Sequence, residues 1–275
     1  MSSYNKRPPV KRHFDPTGEK DNWVSTDESV IEGKNAVTEA LRAGRAIDKV
    51  FISGSENDRS LRHIASSARD SGAVVVTANK SKLDSLSLAG SHQGVIAIAA
   101  VKEYSTVAEI LKTAADRGEK PFIIICDEIS DPHNLGAIIR TAEASGAHGI
   151  IIPKRRSAGI TSIVEKTSAG ATSHMAVARV SNISQTIREL KKSGVWVFGA
   201  ASDGDQTLWD ADFNDSSAIV IGSEGSGIGR LVREQCDIML NIPMTGKTPS
   251  LNASVSAAVI MYEGMRQRYF SKLRR

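Results

Sequence analysis

The sequence predicts an α/β protein: a small N-terminal unit, then a larger domain built on a mostly parallel sheet. Three observations carry this reading. Between residues 120 and 243, six short apolar runs alternate with segments of helical spacing. The runs "PFIIICDEI", "GIIIP", "MAVARV", "VWVFGA", "SAIVIG" and "DIMLNIP" are apolar almost throughout, as strands covered on both faces must be. A shorter alternation of the same kind occupies residues 29–103.

The elements follow in order. Residues 1–28 are polar and rich in Pro and Lys, with no apolar period, and read as a disordered basic arm. "NAVTEALRAG" predicts a helix, with Ala36, Val37, Ala40 and Leu41 at helical spacing and Gly44 as the stop. "KVFIS" predicts a strand, "SLRHIASSARDSG" a helix, and "AVVVTA" and "GVIAIAAV" two more strands. Residues 104–119 form a helical or linking stretch before the larger domain, 120–275. Helical segments are expected near 134–146, 160–169, 183–193 and 227–236, and a long final helix over about 251–268.

Composition excludes several classes. No apolar run approaches the roughly 18 residues a membrane span requires. The N-terminus "MSSYNKRPPVKRHF" lacks the apolar core of a secretory signal, so a cytoplasmic location is expected. The two cysteines, Cys126 and Cys236, form no CxxC pair, and the six histidines form no metal-ligand cluster, so no metal is expected. The net charge of +4 is unevenly placed: residues 1–20 and 265–275 together carry +8, and the segment between them −4. Basic ends on a mildly acidic body suit a polyanion such as nucleic acid, although solubilising tails would look the same.

Three segments carry unusual polar content where strands end, which is where open α/β sheets gather ligands. In "DEISDPHNLGAIIRTAEASG", Asn134 is a plausible helix cap, and Arg140 follows less than two turns later. A cation early in a helix gains from a nearby anion. In "AIVIGSEGSGIGRL", a buried strand enters a glycine-rich turn holding Glu224. Its spacing fits neither a dinucleotide fingerprint nor a P-loop. In "NIPMTGKTPSLNASV", the Gly246-Lys247-Thr248 trio resembles a phosphate loop, but Asn241 stands where the first glycine belongs. Pro249 follows and has no N–H to give a phosphate. Beyond it, Ser250 and Asn252 precede a helix with Leu251, Val255, Ala258, Val259 and Tyr262 on one face. Each segment alone has an ordinary alternative: a cap, a turn, a core helix.

Together, "NLGAIIRTA", "IVIGSEGSGI" and "IPMTGKTPSLNASVSAA", in this order, resemble the three motifs of the SpoU (TrmH-like) branch of the SPOUT RNA methyltransferases. The likeness covers about residues 120–270. Residues about 30–103, ending in "HQGVIAIA", resemble that branch's accessory RNA-binding domain of ribosomal-protein type. The full pattern is similar to the members that 2′-O-methylate a guanosine of 23S rRNA. Members that act on a tRNA ribose are the alternative, and a non-catalytic RNA-binding ribosome-assembly protein is the alternative of another kind.

The resemblance implies a parallel-sheet domain with a deep trefoil knot, a homodimer with the site shared across its interface, and S-adenosylmethionine as cofactor. It implies Asn134, Arg140, Glu224, Ser250 and Asn252 as the catalytic set, with Asn134 and Glu224 holding one another and orienting Arg140 toward the ribose and its phosphate. It implies a cofactor held largely by backbone through Gly199, Ala200, Ala201, Ile219, Ile221, Gly222, Glu224, Gly225, Ile228, Ile242, Met244 and Leu251. Ala253 is a departure, since relatives carry a larger apolar residue there; a change of helix packing is expected. Separately, "PKRRS" sets Lys154, Arg155 and Arg156 together after a strand, as an RNA-contacting loop would. A solvated basic turn is the alternative.

Overall fold

The structure, a computed structural model, describes residues 30–54 and 58–273, with side chains through residue 269. The basic arm expected over residues 1–28 and the final Arg274 and Arg275 lie outside the described residues.

The N-terminal unit is a four-stranded sheet of β1 (Val30–Glu32), β2 (Ile47–Ser53), β3 (Val74–Ala78) and β4 (Val95–Ala99), ordered β1-β4-β2-β3. β2 and β3 are parallel, while β1 and β2 each run antiparallel to β4. Helices α1 (Lys34–Arg42) and α2 (Arg59–Asp70) cover one face, and α3 (Lys80–Leu86) covers the other. The Asp58 carboxylate starts α2 by accepting the N–H groups of Ser60 and Leu61. Leu61, Ile64, Ala65 and Ala68 then recur at helical spacing and pack on Val50, Ile52 and Val95. The sequence reading has no counterpart for β1 or α3. β1 is three residues long, and α3 buries only Leu83 and Leu86, too few to display a period.

Over residues 104–119 the chain forms α4 (Val107–Asp116), opened by a reciprocal capping box between Thr106 and Glu109. Its Ile110 is fully buried with Ile123, Ile125 and Ile151 of the larger domain.

That domain is a seven-stranded sheet of order β7-β6-β5-β10-β8-β11-β9. Its strands are β5 (Phe122–Cys126), β6 (Gly149–Pro153), β7 (Val177–Val180), β8 (Trp196–Ala200), β9 (Gln206–Thr207), β10 (Ser217–Ile221) and β11 (Ile238–Asn241). Every pairing is parallel. Both faces are covered, so β5 buries alternate residues in opposite layers. Phe122, Ile124 and Cys126 meet α5 (Pro132–Ala144), α6 (Ser162–Thr167) and α9 (Ala253–Leu273). Ile123 and Ile125 meet α4, α7 (Ile183–Lys192) and α8 (Arg230–Arg233).

Two sequence expectations are corrected. α5 is capped by Asp131, whose carboxylate accepts the N–H of His133, and Asn134 lies inside the first turn behind Pro132. On α9 the buried stripe is Ala253, Ala257, Ile260 and Met261, whereas Val255 and Tyr262 are each 47% exposed. The two alanines let the α9 backbone settle close beside α5, and of the expected stripe Val259 still packs on the core's edge while Val255 and Tyr262 face outward.

The C-terminal basic tail also divides. The Arg266 guanidinium grips Glu263 through two bonds of 2.7 Å. Arg268 donates to the carbonyls of Phe213, Lys120 and Pro121 at 2.8–2.9 Å and lies over the Phe122 ring. Burial draws its pKa down to about 10. Arg268 therefore ties α9 to the entrance of β5 and is not open to a polyanion, whereas the Arg266 pair stays within α9 and exposed. Arg268→Met is expected to lower stability by about 2 kcal/mol, because the carbonyls lose their donor. Urea unfolding of the full chain reads this directly.

Candidate active site

β5, β6 and β7 extend to one side of the sheet and β10, β8, β11 and β9 to the other, so the direction of winding reverses between β5 and β10. The loops leaving the carboxyl ends of these strands meet at that switch point. The β5–α5 loop brings Asn134, the β10–α8 loop brings Glu224, and the β11–α9 loop brings Ser250 and Asn252.

Three of these residues form one hydrogen-bonded cluster. Asn134 Nδ2 donates to Glu224 Oε1 at 2.9 Å. Asn252 Nδ2 donates to Asn134 Oδ1 at 3.0 Å and also to Glu224 Oε1. Asn252 Oδ1 turns the other way and caps α9, accepting from the N–H and Oγ of Ser254 at 2.9 and 2.7 Å. Each amide therefore has a fixed orientation, and Glu224 Oε1 is saturated by two donors. Because Asp131 caps α5, the Asn134 amide is free for this cluster.

Arg140 is not part of it. It stands six residues beyond Asn134, about 9 Å along α5 and about 120° around it. It is exposed, and among the described residues its guanidinium has no hydrogen bond or ion pair. The pairings with Glu143 or Asp131 that its sequence neighbourhood allows are not formed. Ser250 lies on an exposed turn that lines a cavity beside the cluster.

That cavity has a volume near 570 Å³. Ala200, Ala201, Ile221, Gly222, Glu224, Gly225, Ile228, Ile242, Met244 and Leu251 all line it. Gly199 and Ile219 sit further back inside β8 and β10, where Met239 packs against the glycine and Ile219 belongs to the core. The glycine turn is pinned to itself: Ser223 N–H donates to Gly227 O at 3.1 Å, and Gly227 N–H donates to Ser223 O at 2.9 Å. Apolar Ile221, Ile242 and Leu251 contribute one kind of surface, and the turn's backbone another, which suits a flat aromatic group with a polar edge.

Three lining or supporting residues escape the sequence reading. Asp203 and Arg233 form a 2.9 Å ion pair at the cavity, and the guanidinium holds Asp203 below the usual carboxylate range. Asp127, at the end of β5, accepts the Gly229 N–H at 2.8 Å and so ties the glycine turn to the central strand. Burial pushes the Asp127 carboxyl up, against the pull of that hydrogen bond. The available signal was an acid directly after the wholly apolar "FIIIC". Asp127→Ala is expected to weaken ligand binding in the cavity about tenfold, while Asp127→Asn, which keeps an acceptor, changes it little. Calorimetric titration separates the two.

The loop after β6 treats its three cations differently. Arg155 is exposed, and Arg156 pairs with Glu128 at 2.8 Å. Lys154 is half-buried, reaching toward Gly72 of the N-terminal unit. Among the described residues, no group of three or more His, Cys, Asp or Glu is placed to hold a metal, and no helix is long and apolar enough to cross a membrane. Burial pushes the thiols of Cys126 and Cys236 up to about 12, too high for nucleophilic use at neutral pH.

Comparison with known proteins places the chain in a family. Residues 121–262 match the SpoU rRNA Methylase family, and residues 30–105 match the RNA 2′-O ribose methyltransferase substrate binding domain. The chain is 43% identical over 245 residues to YacO of Bacillus subtilis strain 168, named as a TrmH family tRNA/rRNA methyltransferase; the match covers 89% of this chain and 98% of YacO. A Staphylococcus haemolyticus protein named for the same family is 44% identical over 243 residues, covering 88% and 97%. Among solved structures, the SpoU methyltransferase AviRb from Streptomyces viridochromogenes, in complex with AdoMet, shares the fold. It has a TM-score of 0.55 at 23% identity, over 88% of this chain and 90% of AviRb. The A. aeolicus TrmH/SpoU tRNA modifying enzyme gives a TM-score of 0.52 at 27% identity, over 56% of this chain and 79% of that one.

Proposed function

The chain belongs to the SpoU (TrmH) family and is an RNA 2′-O-methyltransferase, and from that premise we propose that it methylates a guanosine ribose of 23S rRNA, with S-adenosylmethionine held in the 570 Å³ cavity. The observation that carries the reading is the Asn134–Glu224–Asn252 cluster at the rim of that cavity. The cavity fits the cofactor in size, since small-molecule pockets span about 300–1,000 Å³. It also fits in character: Ile221, Ile242 and Leu251 accept an adenine face, and the backbone of the glycine turn accepts polar edges. When bound, the cofactor supplies a methyl group on a positively charged sulfur.

The chain's own residues then have distinct tasks. Asn134, Glu224 and Asn252 fix three loops to one another and so hold the rim in a single shape. The Arg140 guanidinium offers N–H donors and no acceptor atom, so it acts as a donor and not as a base. Facing the ribose and its phosphate, it stabilises charge developing on the 2′-oxygen, while a phosphate oxygen takes the proton. Within one chain Arg140 does not reach the cluster, so the site is completed by Arg140 of a second copy. The exposed Val255 and Tyr262 on α9 supply an apolar surface for that contact. A trefoil knot in the C-terminal segment is compatible with β8 lying between β10 and β11. The accessory domain supports rRNA over tRNA as substrate. Relatives are named for both, and tRNA is the second reading.

Mixing two inactive variants tests the shared site. Arg140→Ala and Asn252→Ala are each expected to be inactive, and co-refolding them regenerates about a quarter of the wild-type sites if each site draws on both copies. No recovery in a mixture shown to contain heterodimers would place Arg140 and the cluster in the same chain's site.

A further inference from the structure

The N-terminal unit is fastened to the catalytic domain by a buried polar joint. Asp48 is the bulged residue of β2: the register against β4 shifts between Ile47 and Lys49, which aims its side chain out of the sheet's regular alternation. It is 1% exposed, and it meets Arg179 on β7, whose side chain is 7% exposed. Arg179 Nη1 donates to Asp48 Oδ1 at 2.7 Å, and Nη2 donates to the Asp48 carbonyl at 3.1 Å. The Tyr104 hydroxyl donates to Asp48 Oδ1 at 2.7 Å and accepts the Ile160 N–H at 2.9 Å, and the guanidinium lies over the Tyr104 ring.

Two details show how closely this joint is built. Asp48 Oδ2 is buried without a hydrogen-bond partner, packed against Gly159, where a Cβ would stand only 2.0 Å away. Only glycine at 159 allows the two units this approach. In addition, the same Arg179 Nη2 donates to the carbonyl of Lys154 at 3.2 Å. One guanidinium thus holds the substrate-binding domain and the first residue of the loop bearing Lys154, Arg155 and Arg156. The connecting segment is stitched down as well: Lys102 Nζ donates to the carbonyls of Thr172 and Met175, and Ser105 bridges to Ala178.

A buried ion pair with one orphaned carboxylate oxygen is a poor device for stability, because desolvation offsets most of the attraction. Its value lies in geometry: it permits one pose and few others. We infer that Asp48, Arg179 and Tyr104 are positioning residues for RNA, a rigid joint that fixes the substrate-binding domain and the 153–157 loop as one continuous surface beside the active site. This rests on the reading of the chain as an RNA methyltransferase, and it adds that the free protein already holds the two domains in the pose that receives RNA.

The test uses the full chain, a long 23S rRNA transcript and a short oligonucleotide too small to span both domains. Arg179→Met, Arg179→Lys and the milder Tyr104→Phe are compared with wild type by RNA binding, cofactor binding and small-angle scattering. Arg179→Met is expected to weaken binding of the long RNA about tenfold and to expand the particle, with cofactor and short-RNA binding within about twofold of wild type. Tyr104→Phe, which leaves the ion pair, weakens long-RNA binding about threefold. Arg179→Lys, which keeps the charge but not the fork, falls between them. Unchanged long-RNA binding in an expanded Arg179→Met particle would overturn the inference. So would an equal loss for long RNA, short RNA and cofactor, which would mean that the joint only supports the fold. These readouts need no methyl transfer, so a wild-type protein inactive on every RNA would overturn the functional reading and leave the joint still tested.

Discussion

Gly222→Ala is expected to lower S-adenosylmethionine affinity by at least about a hundredfold. A Cβ at this position would stand 2.2 Å from the Gly227 carbonyl carbon and 2.3 Å from the Ile228 nitrogen. Both obstacles are backbone, so no side-chain rotation relieves the clash. The turn is pinned by its own Ser223–Gly227 hydrogen bonds and by Asp127 on Gly229, so displacement spreads through the whole cavity wall. Gly225→Ala is the control: nothing lies within 4 Å of its Cβ, and its affinity is expected to stay within about threefold. Calorimetric titration of cofactor into the two variants reads the contrast, with thermal melting to show that both remain folded. Equal affinities would mean that the glycine turn does not shape the cofactor site.

Arg140→Ala is expected to reduce methyl transfer about a thousandfold while leaving cofactor affinity unchanged and RNA affinity within about tenfold. The side chain is exposed and, among the described residues, without a partner, so its removal costs the fold little. Arg140→Lys should recover little of the activity, because a point charge does not replace a planar fork at an oxygen and its phosphate. Single-turnover transfer with saturating cofactor isolates this step from binding. Full activity in Arg140→Ala would remove the residue from the site.

Much of this architecture is written locally in the chain. The strands of the larger domain are continuous apolar runs because both sheet faces are covered, and that pattern survives without knowledge of any partner. The three loops of the site announce themselves as polar or glycine-rich interruptions at strand ends. Features that depend on distance do not. Asp48 and Arg179 lie 131 residues apart in two ordinary-looking strands, and neither neighbourhood hints at the other. Arg268 counts as one more basic tail residue until the carbonyls of Phe213, Lys120 and Pro121 are brought to it.

Local rules also compete, and tertiary contacts decide between them. Asp131 and Asn134 are both competent helix caps; Pro132 favours the first helical position and gives the cap to Asp131, which leaves Asn134 to Glu224. On α9 the stripe that takes the buried side joins Ala253 and Ala257, where backbones approach closely, to the bulkier Ile260 and Met261. Asp127, an acid at a strand end, reads as a loop residue until the turn it holds is brought to it.

The measurement that tests the central claim most directly is transfer of labelled methyl from S-adenosylmethionine to unmodified 23S rRNA and, in parallel, to unmodified tRNA. The account predicts label in 23S rRNA alone, recovered after alkaline hydrolysis in a single guanosine-containing dinucleotide, because a methylated 2′-oxygen cannot attack the neighbouring phosphate. Label in tRNA would keep the chemistry and contradict the substrate, and label recovered in mononucleotides would contradict the ribose 2′-oxygen as the acceptor.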